Sequence, residues 1–151
     1  MSEPIDDADR AIRGCFIGMT LPSAPEQLFD PVERVQAYKL AIQALKLGRS
    51  DAIDLGADPV MREAAGQLLR ATASIAANIA EGYSRGTTAD RRKFLEYALG
   101  SVRECFVWYE AAGHPESEER IARLTSIRRL LLTMIRTSRE SAAADRRSFS
   151  K

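Results

Sequence analysis

The sequence predicts an all-α protein, an antiparallel up-and-down four-helix bundle, on three observations. Between Arg70 and Glu81 lie ten residues without a charge, half of them alanine, the strongest helix former. Three further segments space their apolar residues at three and four along the chain, the period of a helix. Short stretches marked by Asp-Pro, Gly or Gly-His-Pro separate the four, and short connections make consecutive helices antiparallel neighbours. With 151 residues, 45% hydrophobic and 28% charged, the chain has the composition of one globular domain that can bury a core.

Each element has its own signal. Residues 1–26 are acidic, punctuated by Pro4, Pro22 and Pro25, and lack periodicity, which predicts a disordered arm. The bundle is expected over 27–142. Asp30-Pro31 reads as an N-cap followed by proline at the first helical position. Val32, Val35, Tyr38, Ile42 and Leu45 then mark a first helix from about residue 31 into the high forties. Gly48 and the Asp/Gly-rich residues 50–58 read as a connector. Asp58-Pro59 repeats the cap-plus-proline signal and starts a second helix that runs to about Tyr83. Residues 84–88 form a turn, with Thr87 or Thr88 capping a third helix to about Ala112. Gly113-His114-Pro115 ends it. Glu116, Glu118 and Glu119 suit the first turn of a fourth helix and Arg136 and Arg139 its last turns, as the helix dipole favours. Residues 143–151 are expected to be a frayed basic tail.

The alanine-rich helix has almost no large side chains, so other helices must press close against it. The third and fourth helices have the opposite character. Phe94, Leu95, Tyr97, Ala98, Leu99, Val102, Cys105, Phe106, Trp108 and Tyr109 spread over an arc of about 200°, where a core-facing stripe needs about 100°. Ile121, Leu124, Ile127, Leu130, Leu131, Leu132, Met134 and Ile135 do the same. The surplus predicts contact between copies of the chain.

A polar stripe runs along the second helix: Glu63, Gln67, Arg70, Ser74, Asn78 and Glu81. Turning the hairpin near Gly86 sets Arg70 level with 101–104 and Glu81 level with Arg91. The expected structural network is therefore Arg70, Ser74, Asn78, Glu81, Ser101 and Glu104, with Arg70 paired to Glu104 and Glu81 to Arg91 or Arg92. A carboxylate-bridged di-metal bundle would need Glu-x-x-His pairs, and the only histidine is His114 beside a proline; no metal and no cofactor is expected. Ser74 or Ser101 as a nucleophile would need a histidine base, so no catalytic residue is assigned.

Charge is unevenly spread along the chain. Residues 1–83 hold 8 basic and 12 acidic residues, residues 84–151 hold 14 and 9, and residues 120–151 hold 9 and 2. Such a basic end suits an anionic partner or a solvated face. The candidate contacts for nucleic acid are Arg85, Arg91, Arg92 and Lys93 around the second turn, and Arg129, Arg136, Arg139, Arg146 and Arg147 on the fourth helix and tail. Two cysteines, Cys15 and Cys105, are too few for a disulfide framework or a zinc site. No run approaches the length of a membrane span and no secretory signal is evident, so the expected setting is the cytoplasm, with no membrane partner.

Ser74-Ile75-Ala76-Ala77-Asn78-Ile79-Ala80-Glu81-Gly82 resembles the signature S-I-x-x-N-I-A-E-G of the 23S rRNA intervening-sequence proteins. The elements that follow it in that family appear here as Lys93, Phe94, Leu95, Ala98, Gly100, Ser101 and Glu104 at matching spacing. Upstream, Tyr38-Lys39 and Gln67-Leu68-Leu69-Arg70-Ala71 are similar to family segments, and the resemblance covers about residues 31–140. The chain departs at residues 54–60, which lack an aromatic-Gly-Leu, and at Ala76, where proline is frequent. The resemblance implies a homopentameric ring of four-helix bundles, association with ribosomal RNA loci, and no enzymatic activity. A related branch, similar to the accessory variability determinant of diversity-generating retroelements, works with a reverse transcriptase and RNA. The expected function is a non-catalytic oligomeric scaffold binding structured RNA; the alternative is a protein-interaction adaptor, for example for a reverse transcriptase.

Overall fold

The computed structural model describes residues 30–148, with side chains through Ala144. The expected arm over residues 1–26 lies outside the described residues, as do the side chains of Arg146 and Arg147. Four α-helices follow a short 3-10 turn at Pro31–Arg34: α1 (Gln36–Gly56), α2 (Arg62–Tyr83), α3 (Thr88–Ala112) and α4 (Ser117–Ser148). Each packs chiefly against its chain neighbours, and α4 closes back on α1, so the four stand at the corners of an up-and-down bundle. No strand occurs among the described residues. No helix among them is long and apolar enough to cross a membrane.

Local signals set the ends of α3. Thr87 Oγ1 accepts the Asp90 N–H at 3.1 Å, a side-chain N-cap that satisfies one of the free donors of the first turn. At the other end Gly113 takes φ 57°, the left-handed conformation that glycine adopts without a steric penalty. The Asp-Pro signals act more locally than expected. Asp30 accepts the Val32 N–H at 3.0 Å, yet it caps only the 3-10 turn; Val35 is extended and α1 starts at Gln36. Asp58 accepts the Val60 N–H at 2.9 Å, closing a turn, and α2 begins at Arg62. The backbone of α4 stays helical to Ser148, past the expected limit of the bundle at residue 142.

The larger correction concerns α1. It runs through Gly48 and through most of the stretch read as a connector, ending at Gly56. Its buried residues are Ala37, Ala41, Ala44, Gly48 and Asp51, one step round the helix from the expected stripe; Val35, Tyr38 and Ile42 flank the core half-buried. Close approach of α1 to α2 is the reason. A Cβ built on Gly48 would lie 2.8 Å from Thr72 Cγ2 and 2.9 Å from Thr72 Oγ1, so Gly48 is where two thin helices meet rather than where one stops. Gly48→Ala should therefore destabilise by about 1–3 kcal/mol through overpacking, although alanine is the better helix former by about 1 kcal/mol. A urea titration showing Gly48→Ala more stable than the parent would refute the close-contact reading.

α2 supplies Leu68, Ile75 and Ile79 to the core, and the rest comes from α3 and α4. Leu95, Val102, Cys105 and Tyr109 face Leu124, Ile127 and Leu131, all at most 2% exposed. One bundle thus covers more of the two wide apolar arcs than expected. Among the described residues, the large apolar side chains that remain exposed are Ile53, Val60 and Leu69 on the α1–α2 side, Val107 and Leu132 on α3 and α4, and Tyr97.

Candidate nucleic-acid interface

At the middle of the polar stripe Ser74, Asn78 and Ser101 come together. Asn78 Nδ2 donates to Ser74 O and to Ser74 Oγ, both at 2.9 Å. Ser101 Oγ lies 2.9 Å from Ser74 Oγ and ties α3 to α2. The charged ends of the stripe do not join in. Arg70 is exposed and makes no ion pair among the described residues. Its guanidinium folds back along α2, 3.8 Å from where a Gly66 Cβ would sit, the direction in which helical side chains lean. Glu104 instead faces Trp108 Nε1 at 3.4 Å, one turn along its own helix. Glu81 is ion-paired with Arg85 rather than with Arg91 or Arg92. A partner one turn away needs less ordering of long side chains than one on a neighbouring helix.

The candidate cations fall into two groups. Around the α2–α3 turn, Arg85 is held by Glu81 and lies 4.7 Å over the Phe94 ring. Arg91 is half-buried 5.0 Å over Tyr83, with its Nε lacking a hydrogen bond. Arg92 sits 3.9 Å from Glu96. Lys93 is exposed, its Nζ 5.9 Å over Tyr97. On α4, Arg129 is exposed with no carboxylate partner among the described residues. Arg136 is 3.9 Å from Glu140, and Arg139 reaches across to Glu96 at 2.8 Å. These are surface pairs, each worth less than about 1 kcal/mol, so a phosphate can replace the carboxylate at small cost.

Two grooves flank these groups. One, of about 700 Å³ between α3 and α4, has Leu99, Leu132 and Ile135 as its floor and Arg103, Arg136 and Arg139 on its walls. The other, of about 420 Å³ between α1 and α2, is lined by Ile53, Ala65 and Leu69 with Arg49 and Arg62. In a bundle whose helices follow one another round a ring, the α1–α2 and α3–α4 faces are opposite each other.

The most elaborate polar cluster was missed by sequence reasoning. Arg120 grips Asp51 with two hydrogen bonds, Nε to Oδ2 at 2.9 Å and Nη2 to Oδ1 at 3.1 Å. The Tyr109 hydroxyl donates to Oδ2 at 2.7 Å, and His114 Nε2 stands 3.9 Å from Oδ1. Arg120 also pairs with Glu116 and, at 3.4 Å, with Glu119. Asp51 and Arg120 are 2% and 6% exposed, so α1, α3 and α4 are clamped here by a buried charge pair. Burial pushes the Asp51 carboxyl up, but hydrogen bonds from Arg120 and Tyr109 and the charges of Arg120 and His114 outweigh it and hold it below the usual range. Its hydrogen bond to Asp51 raises Arg120, and burial followed by its own hydrogen bond to Asp51 raises Tyr109. Placing residues 50–58 in a connector hid the signal, since Asp51 continues the series 37, 41, 44, 48 on the inner face of α1.

The cluster is saturated. His114 Nδ1 accepts the Glu116 N–H at 3.2 Å, and each Asp51 oxygen has a donor. Cys105 is buried and its thiol is pushed up to about 12 by that burial. Among the described residues no three His, Cys, Asp or Glu side chains come together in a way that would hold a metal ion.

Comparison with known families gives a match over the middle of the chain. Residues 58–130 fit the family described as 23S rRNA-intervening sequence protein, the family that the S-I-x-x-N-I-A-E-G motif resembles. The span takes in α2, α3 and the first half of α4, and excludes α1. No curated protein matches the chain.

Proposed function

We propose that this bundle, with the core of a 23S rRNA-intervening sequence protein over residues 58–130, is a non-catalytic scaffold that closes into a ring of copies and binds structured RNA through cations repeated round that ring. The observation that carries the reading is the division of its exposed surface. Five of the six exposed large apolar side chains among the described residues, Ile53, Val60 and Leu69 against Val107 and Leu132, belong to opposite faces of the bundle. Apolar patches on opposite faces suit a head-to-tail contact, which closes a ring when the rotation permits. The family resemblance supports five copies.

RNA binding is supported by α4. Between Glu119 and Glu140 it has no acidic residue and carries Arg120, Arg123, Arg128, Arg129, Arg136 and Arg139. A single subunit offers too few free cations for strong binding, but a ring presents each of them several times, and simultaneous engagement multiplies affinity when the RNA spans the sites.

Two measurements test this. Light scattering at micromolar concentration should return about five times the chain mass of 16.7 kDa, and Leu132→Glu should reduce it. A chain that stays monomeric across the accessible range removes the ring. Titration of structured 23S rRNA fragments into the intact ring at two salt concentrations should show affinity falling steeply with salt. Arg129→Glu should weaken binding without base preference and flatten the salt slope by about 0.7–0.9 for each phosphate that is no longer neutralised. No binding at low salt by an intact ring would favour an adaptor for another protein, such as a reverse transcriptase.

A further inference from the structure

We infer that the α2–α3 face of each subunit is a platform for an unpaired nucleobase, with Tyr97 as the stacking surface and Lys93 as its phosphate contact. The inference rests on the RNA-binding reading and names what the RNA must offer: a single-stranded loop, bulge or end.

Tyr97 is 50% exposed. Among the described residues it is the sixth of the exposed large apolar side chains and the only aromatic one, and it lies off the two opposed apolar faces. It shares its side of α3 with Ser101, which meets Ser74 of α2. Its surroundings form a row in which cations end a pair of rings. Arg85 lies 4.7 Å over Phe94, Phe94 meets Tyr97 edge to face at 5.8 Å and 89°, and Lys93 Nζ hovers 5.9 Å over Tyr97. A contact seam for another protein copy has no need of this alternation. A nucleotide does, because it brings a flat π face for the ring and an anion for the ammonium.

The platform is held in place from beneath. Gly82 is buried, and a Cβ there would stand 3.2 Å from Arg91 O and 3.3 Å from Phe94 Cβ. The two helices therefore meet closely under Phe94, and Phe94 buttresses the Tyr97 ring at its edge. Lys93 is at the outer limit of cation–π distance, about 6 Å, so it can swing to a phosphate while a base takes its place. Arg85 is neutralised by Glu81 and contributes a plane over Phe94 rather than a free charge. Duplex RNA cannot use such a site, since its bases are already paired and stacked and a ring on a helix surface meets only backbone and groove edges.

The test compares two probes on the full chain, with oligomer mass checked for every variant. One is a U-rich single-stranded RNA 12-mer carrying a single 2-aminopurine, the other a blunt 12-base-pair RNA duplex. The parent should bind the single strand and quench the 2-aminopurine. Tyr97→Ala should weaken single-strand binding about tenfold or more and abolish the quench, while leaving duplex binding and oligomer mass unchanged. Tyr97→Phe should retain both affinity and quench, and Lys93→Ala should lower affinity while keeping the quench. Unchanged single-strand binding by Tyr97→Ala, an equal loss on both probes, or a change of oligomer mass overturns the platform while RNA binding stands. Failure of the parent to bind either probe at low salt overturns both.

Discussion

Replacing Asp51 with alanine should lower the free energy of unfolding by about 3–5 kcal/mol, because it leaves the buried Arg120 guanidinium without its counter-ion. The same loss is expected for Arg120→Ala, which strands the Asp51 carboxylate. The double variant should cost clearly less than the two single losses added together, since neither charge is then left alone. Acid provides an independent check. Asp51 is held below the usual carboxylate range, whereas in the unfolded chain it titrates near about 3.9. The unfolded state therefore takes up the proton first. The contribution of the pair is fully present above about pH 4 and is lost as pH falls through the folded value. Urea unfolding at a series of pH values should show this acid-sensitive component in the parent and not in Asp51→Ala. Identical acid slopes for the two would remove the clamp from the account of stability.

The second large effect is expected at Ile75. On α2 the fully buried large side chains are Leu68, Ile75 and Ile79, and the other buried positions are Ala65, Ala71, Thr72, Ala76 and Gly82. Ile75→Ala should cost about 2–5 kcal/mol and sit in the upper half of that range. Ala71, Thr72 and Ala76 beside it on α2 are too short to fill the cavity, and cavity volume adds to the transfer cost. Ala77→Ser, on the exposed side of the same helix, should stay within about ±0.5 kcal/mol. Both must be compared at one protein concentration, because association of copies contributes to apparent stability. A cost below about 1 kcal/mol for Ile75→Ala would mean that α2 is not the packed centre of the bundle.

The two clusters of function and stability sit at different places in the fold. The Asp51–Arg120 clamp joins α1, α3 and α4 near the α3–α4 turn. Tyr97, Lys93 and Arg85 gather near the α2–α3 turn, at the other end of the bundle. Stability can therefore be altered at Asp51 and ligand contact at Tyr97 with little expected cross-talk, since distant sites without shared partners behave additively.

Several features were legible from residues alone because their causes are local. The helical class follows from propensity and period. The cap at Thr87, the left-handed Gly113 and the acidic start of α4 depend on groups within about four residues of each other, a distance that a sequence displays directly. The Ser74–Asn78 contact is of the same kind, one helical turn long, whereas hairpin register set Arg70 level with 101–104 and the fold brought Ser101 to Ser74 instead. The candidate cations were also visible, but not their state. Which of them are held by a carboxylate depended on rotamers, and nearby partners on the same helix won over the cross-helix pairs proposed for Arg70 and Glu81.

What only the tertiary structure decided is which side of α1 faces inward and what an acid does there. Large apolar residues at 35, 38 and 42 suggested one stripe, yet the depth to which α1 sinks against α2 is set by the Gly48–Thr72 contact. That depth turns Ala37, Ala41 and Ala44 to the core and leaves the larger side chains at its edge. Asp51 is carried inward by the same rotation, and its partners Tyr109 and Arg120 are 58 and 69 residues away in the chain. No local pattern reports a partner at that separation. A carboxylate looks like loop chemistry until the fold supplies, at one point, the guanidinium and the hydroxyl that make its burial possible.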